Sequence, residues 1–206
     1  MANLLIAYYS AYGHTYQMAS AAAEGAKSVD GMQVKIVKIP EFEVAKKQMS
    51  TQEAYVQAQE GQKAIPEATQ EDLRWADGII WGIPTRFGLM PAQVKQFLDA
   101  AGGLWMNGEL EGKATAVITS SNSIHGGQES TALTTFVPMM HFGMIYVGLP
   151  YGENPEQNTT EGIGGTPYAA STVAGREDSP EEREKKMASR LGARVARVSK
   201  ALKGNL

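Results

Sequence analysis

Apolar runs separated by stretches of helical period recur along the chain. Leu4 to Ala7 with Tyr8 and Tyr9 predict a strand over about 3–9. The alanine-rich stretch behind it predicts a helix over 16–27, ending near Asp30-Gly31. Val34 to Ile39 predicts a second strand, and Gly78-Ile79-Ile80-Trp81-Gly82 a third, stopped by Pro84. Pro91 opens the next helix at a tolerated first-turn position, with Val94, Phe97, Leu98 and Ala101 on one face and Gly102-Gly103 as its end. Lys113 to Ser120 reads as a fourth strand and Met144 to Val147 as a fifth. Between them, 129–142 is helical, with Leu133, Phe136, Val137 and Met140 on one stripe and a bend or a fresh turn at Pro138. The last helix starts at Ser179-Pro180-Glu181-Glu182, a capping-box pattern, and runs to about Lys203 on a stripe of Met187, Leu191, Val195, Val198 and Leu202.

Strands alternating with helices predict an α/β fold, a doubly wound five-stranded parallel sheet with helices on both faces. Ligands of such sheets bind beyond the carboxyl ends of the strands, so the loops after strands one, three, four and five are the informative ones. Two segments exceed the minimal unit. Residues 41–75 are charged and polar, read as a helix plus a surface loop, and 148–179 show no clear period. Loops of that length are usually functional or interfacial. At 206 residues and 43% hydrophobic, the expectation is one domain, 1–206, carrying these two insertions.

Composition narrows the chemistry. The chain has no cysteine, which removes thiol catalysis, disulfides and cysteine-ligated metal, so redox chemistry requires an imported cofactor. Its three histidines show no metal-ligand spacing, and no metal is assigned. A net charge of −3 gives no sign of nucleic-acid binding, and the basic residues of the last helix are diluted by Glu181, Glu182 and Glu184. The chain carries no signal-like start and no apolar stretch long enough for a membrane span, which makes a soluble cytoplasmic protein the expectation.

Three loops carry the chemistry. Ser10, Ala11, Tyr12, Gly13, His14 and Thr15 join the first strand to its helix, an order that aims backbone N–H groups and the positive end of a helix at one spot. The loop supplies hydroxyls without lysine and lacks both GxxxxGK[ST] and GxGxxG, so it suits one phosphate of a mononucleotide. Pro84, Thr85, Arg86, Phe87 and Gly88 follow strand three. There Phe87 either faces a planar ligand or packs down, and Arg86 either pairs with a phosphate or carries a surface charge. After strand four, Ser120, Ser121, Asn122, Ser123, Ile124, His125, Gly126, Gly127 and Gln128 offer close backbone approach and many donors.

Ser10 to Thr15, PTRFG at 84–88, GGLW at 102–105, SSNSIHGGQE at 120–129 and GGTPY at 164–168 together resemble the WrbA family, FMN-dependent NAD(P)H:quinone oxidoreductases of flavodoxin-like fold. The likeness runs from Leu4 to the last helix. It implies that Ser10 to Thr15 hold the FMN phosphate, with Tyr12 also near the nicotinamide site. Thr85, Arg86, Phe87 and the donors from Ser120 to Gly127 would flank the isoalloxazine. His141, in MMHFGM, matches a flavin-neighbouring histidine, and Trp105 an aromatic of the substrate pocket; such pockets are assembled across a homotetramer in that family. No side chain is then catalytic in itself, because the flavin carries the chemistry. A hydride from NADH or NADPH and then two electrons to a quinone would pass through one shared pocket, which implies ping-pong kinetics. Backbone N–H groups near Gly126 and Gly127 are candidates for the flavin's pyrimidine edge. His125, His141 or water are alternatives for delivering protons. The family resemblance leaves 41–75 unmatched. A flavodoxin-type one-electron carrier and a flavin-holding scaffold are the alternative functions, and neither would reduce a quinone with NAD(P)H on its own.

Overall fold

The computed structural model describes residues 1–205. Its strands are β1 (Ala2–Tyr8), β2 (Met32–Lys38), β3 (Gly78–Pro84), β4 (Ala114–Ser121), β5 (Ile145–Tyr146) and β6 (Ala170–Val173). All pair in parallel in the order β2-β1-β3-β4-β5, and β6 joins β4 further along. Ala114 and Thr115 face Ile145 and Tyr146, whereas Ile118 to Ser121 face Ala170 to Val173. The fifth position of the sheet is therefore one strand cut in two by an excursion over 147–169. The sequence reading missed β6. Its residues, Ala-Ser-Thr-Val, lack an apolar run, and both hydroxyls are fully buried against specific partners.

Helices α1 (His14–Lys27) and α8 (Glu182–Leu202) cover one face of the sheet. Leu4, Ile6, Tyr8, Ile80, Ala116 and Ile118 point to this face and meet Met18, Ala22, Met187, Leu191 and Val195. The two helices touch backbone to backbone. A Cβ built at Gly25 would lie 1.8 Å from the Ser189 carbonyl oxygen, and one at Gly192 would lie 2.0 Å from that of Ala22. The buried stripe of α8 thus runs through Gly192, Ala196 and Ser199, while Val198 and Leu202 lie at its half-buried margin.

The alternate residues Leu5, Ala7, Ile79, Trp81, Ile83 and Val117 build the second core. Over it lie α2 (Glu43–Met49), α3 (Glu53–Gly61), α4 (Gln70–Trp75), α5 (Ala92–Asp99), α6 (Gly102–Met106) and α7 (Gln128–His141). Segment 41–75 is three helices, not one helix and a loop. α4 has a full capping box between Thr69 and Asp72, but α2 buries no residue and α3 only Tyr55, which is why the segment is charged and polar.

Three local expectations change. Gly102-Gly103 begins α6 instead of ending α5, whose last turn closes at Ala100. α7 runs through Pro138 to His141 without a break. The cap of α8 is Glu181, not Ser179. The Glu181 side chain accepts from the third-residue N–H, and the Glu181 N–H donates to Glu184 (2.9 Å). Glu184 is fully buried and also accepts from the N–H groups of Gly164 (2.8 Å) and Val173 (3.1 Å) and from the Thr172 hydroxyl (2.7 Å). Four donors compensate one buried carboxylate and fasten β6 to α8.

Candidate functional site

At the carboxyl end of the sheet, the segments after β1, β3, β4 and β6 converge on a cleft of about 460 Å³. Ser10, Ala11, Tyr12, His14 and Thr15 line one side, Pro84, Thr85 and Arg86 another, and Ser120, Ser121 and Asn122 a third. Ala54 of α3 and Ala174 after β6 complete the wall; no sequence signal marked either. The lining holds one cation, Arg86, and no carboxylate.

The first loop is made of backbone. Gly13, which precedes α1, has φ 92°, and Gly127 before α7 has φ 102°, left-handed values that glycine adopts without strain. The Gly13 N–H donates to Ser10 Oγ at 3.1 Å, leaving the hydroxyl proton free for the cleft. Ser10 and Thr15 are 8% and 1% exposed. The N–H groups of Ala11 and Tyr12 have no acceptor among the described residues, and the first N–H groups of α1 have none within the helix. Burial holds the His14 imidazole below its ordinary value, with the Glu184 carboxylate opposing.

The second loop is a tight turn. The Arg86 N–H donates to Leu89 O (2.8 Å) and the Leu89 N–H to Arg86 O (3.1 Å), across Phe87 and Gly88 at φ 55° and 80°. Two positive φ values in a row define a type I′ turn, and phenylalanine is an unusual residue for it. Phe87 is fully exposed at 102%, so its packed-down alternative is excluded. Thr85 fixes the turn from below, accepting from the Gly88 N–H (3.1 Å) and the Thr131 hydroxyl (2.8 Å). Arg86 is exposed and donates to the Thr85 carbonyl (3.0 Å).

In the third loop, Ser121 Oγ donates to Ser123 O (2.7 Å), and the Gly126 N–H is already taken by the same carbonyl (3.0 Å). The Ala174 N–H meets Ser121 O (2.7 Å) and the Gly175 N–H meets Asn122 O (3.1 Å), so the chain after β6 carries this rim. Ser123 is exposed, and His125 lies in a separate hollow with Gln128, Glu129 and Glu161.

Trp105 and His141 are brought together, but away from the cleft. They line a second cavity of about 600 Å³ between α5, α6 and α7, with Met90, Leu98, Val137 and Phe142. Trp105 Nε1 donates to the His141 carbonyl at 2.9 Å, and the indole remains 53% exposed. The 85–89 turn walls both spaces, Arg86 lining the cleft and Leu89 the apolar cavity. Among the described residues no group of side chains has the makeup of a metal site, and no helix is long and apolar enough to cross a membrane.

The family pattern described as NADPH-dependent FMN reductase matches residues 4–154. A protein of Geotalea uraniireducens named NAD(P)H dehydrogenase (quinone) is 47% identical over 202 residues, covering 97% of this chain and 98% of that one. One of the same name from Aromatoleum aromaticum is 46% identical, covering 96% and 95%. Among solved structures, a flavodoxin, WrbA-like protein from Agrobacterium tumefaciens superposes with a TM-score of 0.69 at 24% identity, covering 98% and 99%. A flavodoxin from the domain Archaea gives 0.61 at 17%, covering 96% and 99%. These two likenesses establish a flavodoxin-like fold.

Proposed function

The chain belongs to the NADPH-dependent FMN reductase family, and from that premise we propose that it is an FMN-dependent NAD(P)H:quinone oxidoreductase acting as one domain. The observation that carries the reading is the convergence of four strand ends on a cleft with free backbone donors and no carboxylate. That donor set fits a phosphate monoester: hydroxyls at Ser10 and Thr15, unpaired N–H groups at Ala11 and Tyr12, and the start of α1. The volume of about 460 Å³ lies within the range of small-molecule sites, about 300–1,000 Å³.

FMN, when bound, supplies two-electron chemistry between NADH or NADPH and a quinone. The residues bind, orient and screen. Ser10 to Thr15 would hold the phosphate end, while Pro84 to Phe87, Ser120 to Asn122 and the Gly127 N–H would border the ring. Tyr12 stands where the nicotinamide enters, with its hydroxyl on Gln52 (2.7 Å). Ser123, His125 and Gly126 form the outer part of the same loop. A single opening serves both substrates in turn, so the kinetics are ping-pong.

The face around the apolar cavity supplies the outer wall of that one opening in a second copy of the chain. Leu133, Val137 and Met140 on α7 are exposed, as are Trp105, Met106 and Ile145 nearby. So much apolar surface on one side favours burial in an assembly, here a homotetramer in which Trp105 and His141 reach a neighbouring cleft. The setting is cytoplasmic.

An anaerobic visible spectrum of the protein with FMN, before and after NADH or NADPH, tests the reading. Bleaching of the flavin by the nicotinamide and its recovery with benzoquinone is the expected result. A bound flavin that neither nicotinamide bleaches would make the protein a carrier or a scaffold.

A further inference from the structure

α3 belongs to the segment that the family resemblance left unmatched, yet it is bonded to the loop that forms the floor of the cleft. The side-chain amide of Gln59 lies 3.0 Å from Ser10 O and 3.0 Å from Ala11 O. Two carbonyl acceptors leave no choice of orientation: the NH2 end must face them, one hydrogen to each. Gln62, only 1% exposed, reaches the same Ser10 carbonyl (3.4 Å) while anchored on Ala58 O (2.8 Å). α3 also runs close beside the loop, since a Cβ built at Gly13 would lie 3.6 Å from Ala58 Cβ.

Resting on the mononucleotide reading of this cleft, we infer that Gln59, backed by Gln62, is a positioning residue that sets the phosphate affinity of the loop without touching the ligand. A trans peptide points its N–H opposite to its C=O. Holding the Ser10 and Ala11 carbonyls toward α3 therefore turns the Ala11 and Tyr12 N–H groups the other way, where these residues line the cleft. Neither of these amides has an acceptor in the described chain. Without the clamp each peptide is free to rotate and offer its oxygen, which repels an anion, in place of its hydrogen. Such fixed donors bind charge because their reorientation is settled before the ligand arrives.

The test compares FMN with riboflavin, the same ring without the phosphate, on the flavin-stripped full chain by quenching of flavin fluorescence. The wild-type chain should prefer FMN. In Gln59→Leu that preference should shrink by about tenfold, the scale of one or two net hydrogen bonds, with riboflavin affinity unchanged within about twofold. Gln59→Met keeps the length and the neutrality of the side chain but cannot donate, so it carries the same comparison if leucine costs the chain its fold. An FMN-to-riboflavin ratio equal to that of the wild type would overturn the inference. So would a parallel loss of both ligands, which marks general support of the pocket. A wild-type chain that binds the two flavins equally would instead overturn the phosphate-loop reading on which the inference stands.

Discussion

The cleft and the apolar cavity share one wall, the turn at 85–89, and are built on opposite terms. The cleft is made of backbone at the ends of parallel strands, and every loop in it is tied to a neighbour: Thr85 to Ser120, Ser121 to Ala174, Ser10 to Gln59 and Gln62. The cavity is made of side chains from three helices, and its largest aromatic is half open to solvent. A polar site can be finished by one chain because each group needs only a partner at hydrogen-bond distance. An apolar site is finished only when something covers it. Within the proposed function, the first space holds the flavin, and the second helps to enclose the opening through which substrates reach it.

Substitutions should separate the two spaces cleanly. The largest effect is expected from Ser10→Ala combined with Thr15→Ala, which should weaken FMN binding by about 1–3 kcal/mol for each charge-assisted bond lost. Quinone KM in the FMN-saturated variant should stay as in the wild type. Unchanged flavin affinity, read by fluorescence titration, would remove the phosphate from this loop. Trp105→Ala is the mirror image: quinone KM should rise roughly threefold to tenfold, the scale of one aromatic contact, with FMN retained. Loss of the flavin from that variant would put the indole on the wrong side of the comparison.

Val137→Glu addresses what covers the cavity. The side chain is exposed on α7, so the folded chain should lose no more than about 0.5 kcal/mol, while sedimentation should show a smaller assembly. An unaltered sedimentation coefficient would mean that this face lies outside the contact. The smallest effect belongs to His14. Because burial holds its folded-state value below the ordinary one, near pH 6.5, the unfolded chain takes up the proton first as pH falls. Its contribution is complete above that pH and is lost below it. His14→Gln should therefore flatten the denaturant-derived stability profile between about pH 7 and 5, and a profile as steep as the wild type's would exclude the histidine as a source.

Legibility in the sequence followed the same divide. β1, β3 and β4 are buried on both faces, so β1 and β3 read as apolar runs and β4 as an Ala116-Val117-Ile118 centre, and their order alone pointed to a doubly wound sheet. The loops after them were visible because glycine, serine and threonine cluster where backbone must approach a ligand. β6 was hidden because its core positions carry hydroxyls: Ser171 Oγ accepts from the Gly165 N–H (2.7 Å) and Thr172 bonds to Glu184. The capping pattern at 179–182 marked the right place and the wrong residue, since both Ser179 and Glu184 are turned toward Thr172. Nothing in the spacing of Gln59 and Gln62 distinguishes them from the other glutamines of 52–62. Their acceptors lie 48 to 52 residues away in sequence, and only the folded chain brings them together.

The divided fifth strand has a further consequence for how the chain can be handled. β5 and β6 are each fixed on β4 by their own hydrogen bonds, and β6 is additionally fastened by Glu184. A protease cut near 158–161 would therefore sever no strand pairing. Ion pairs from Glu153, Glu156 and Glu161 to Arg194, Arg190 and Arg183 would keep both new ends against α8. The molecule is thus laid out as two complementing fragments that happen to be joined, and that joint is where a split reporter or a circular permutation would be tolerated.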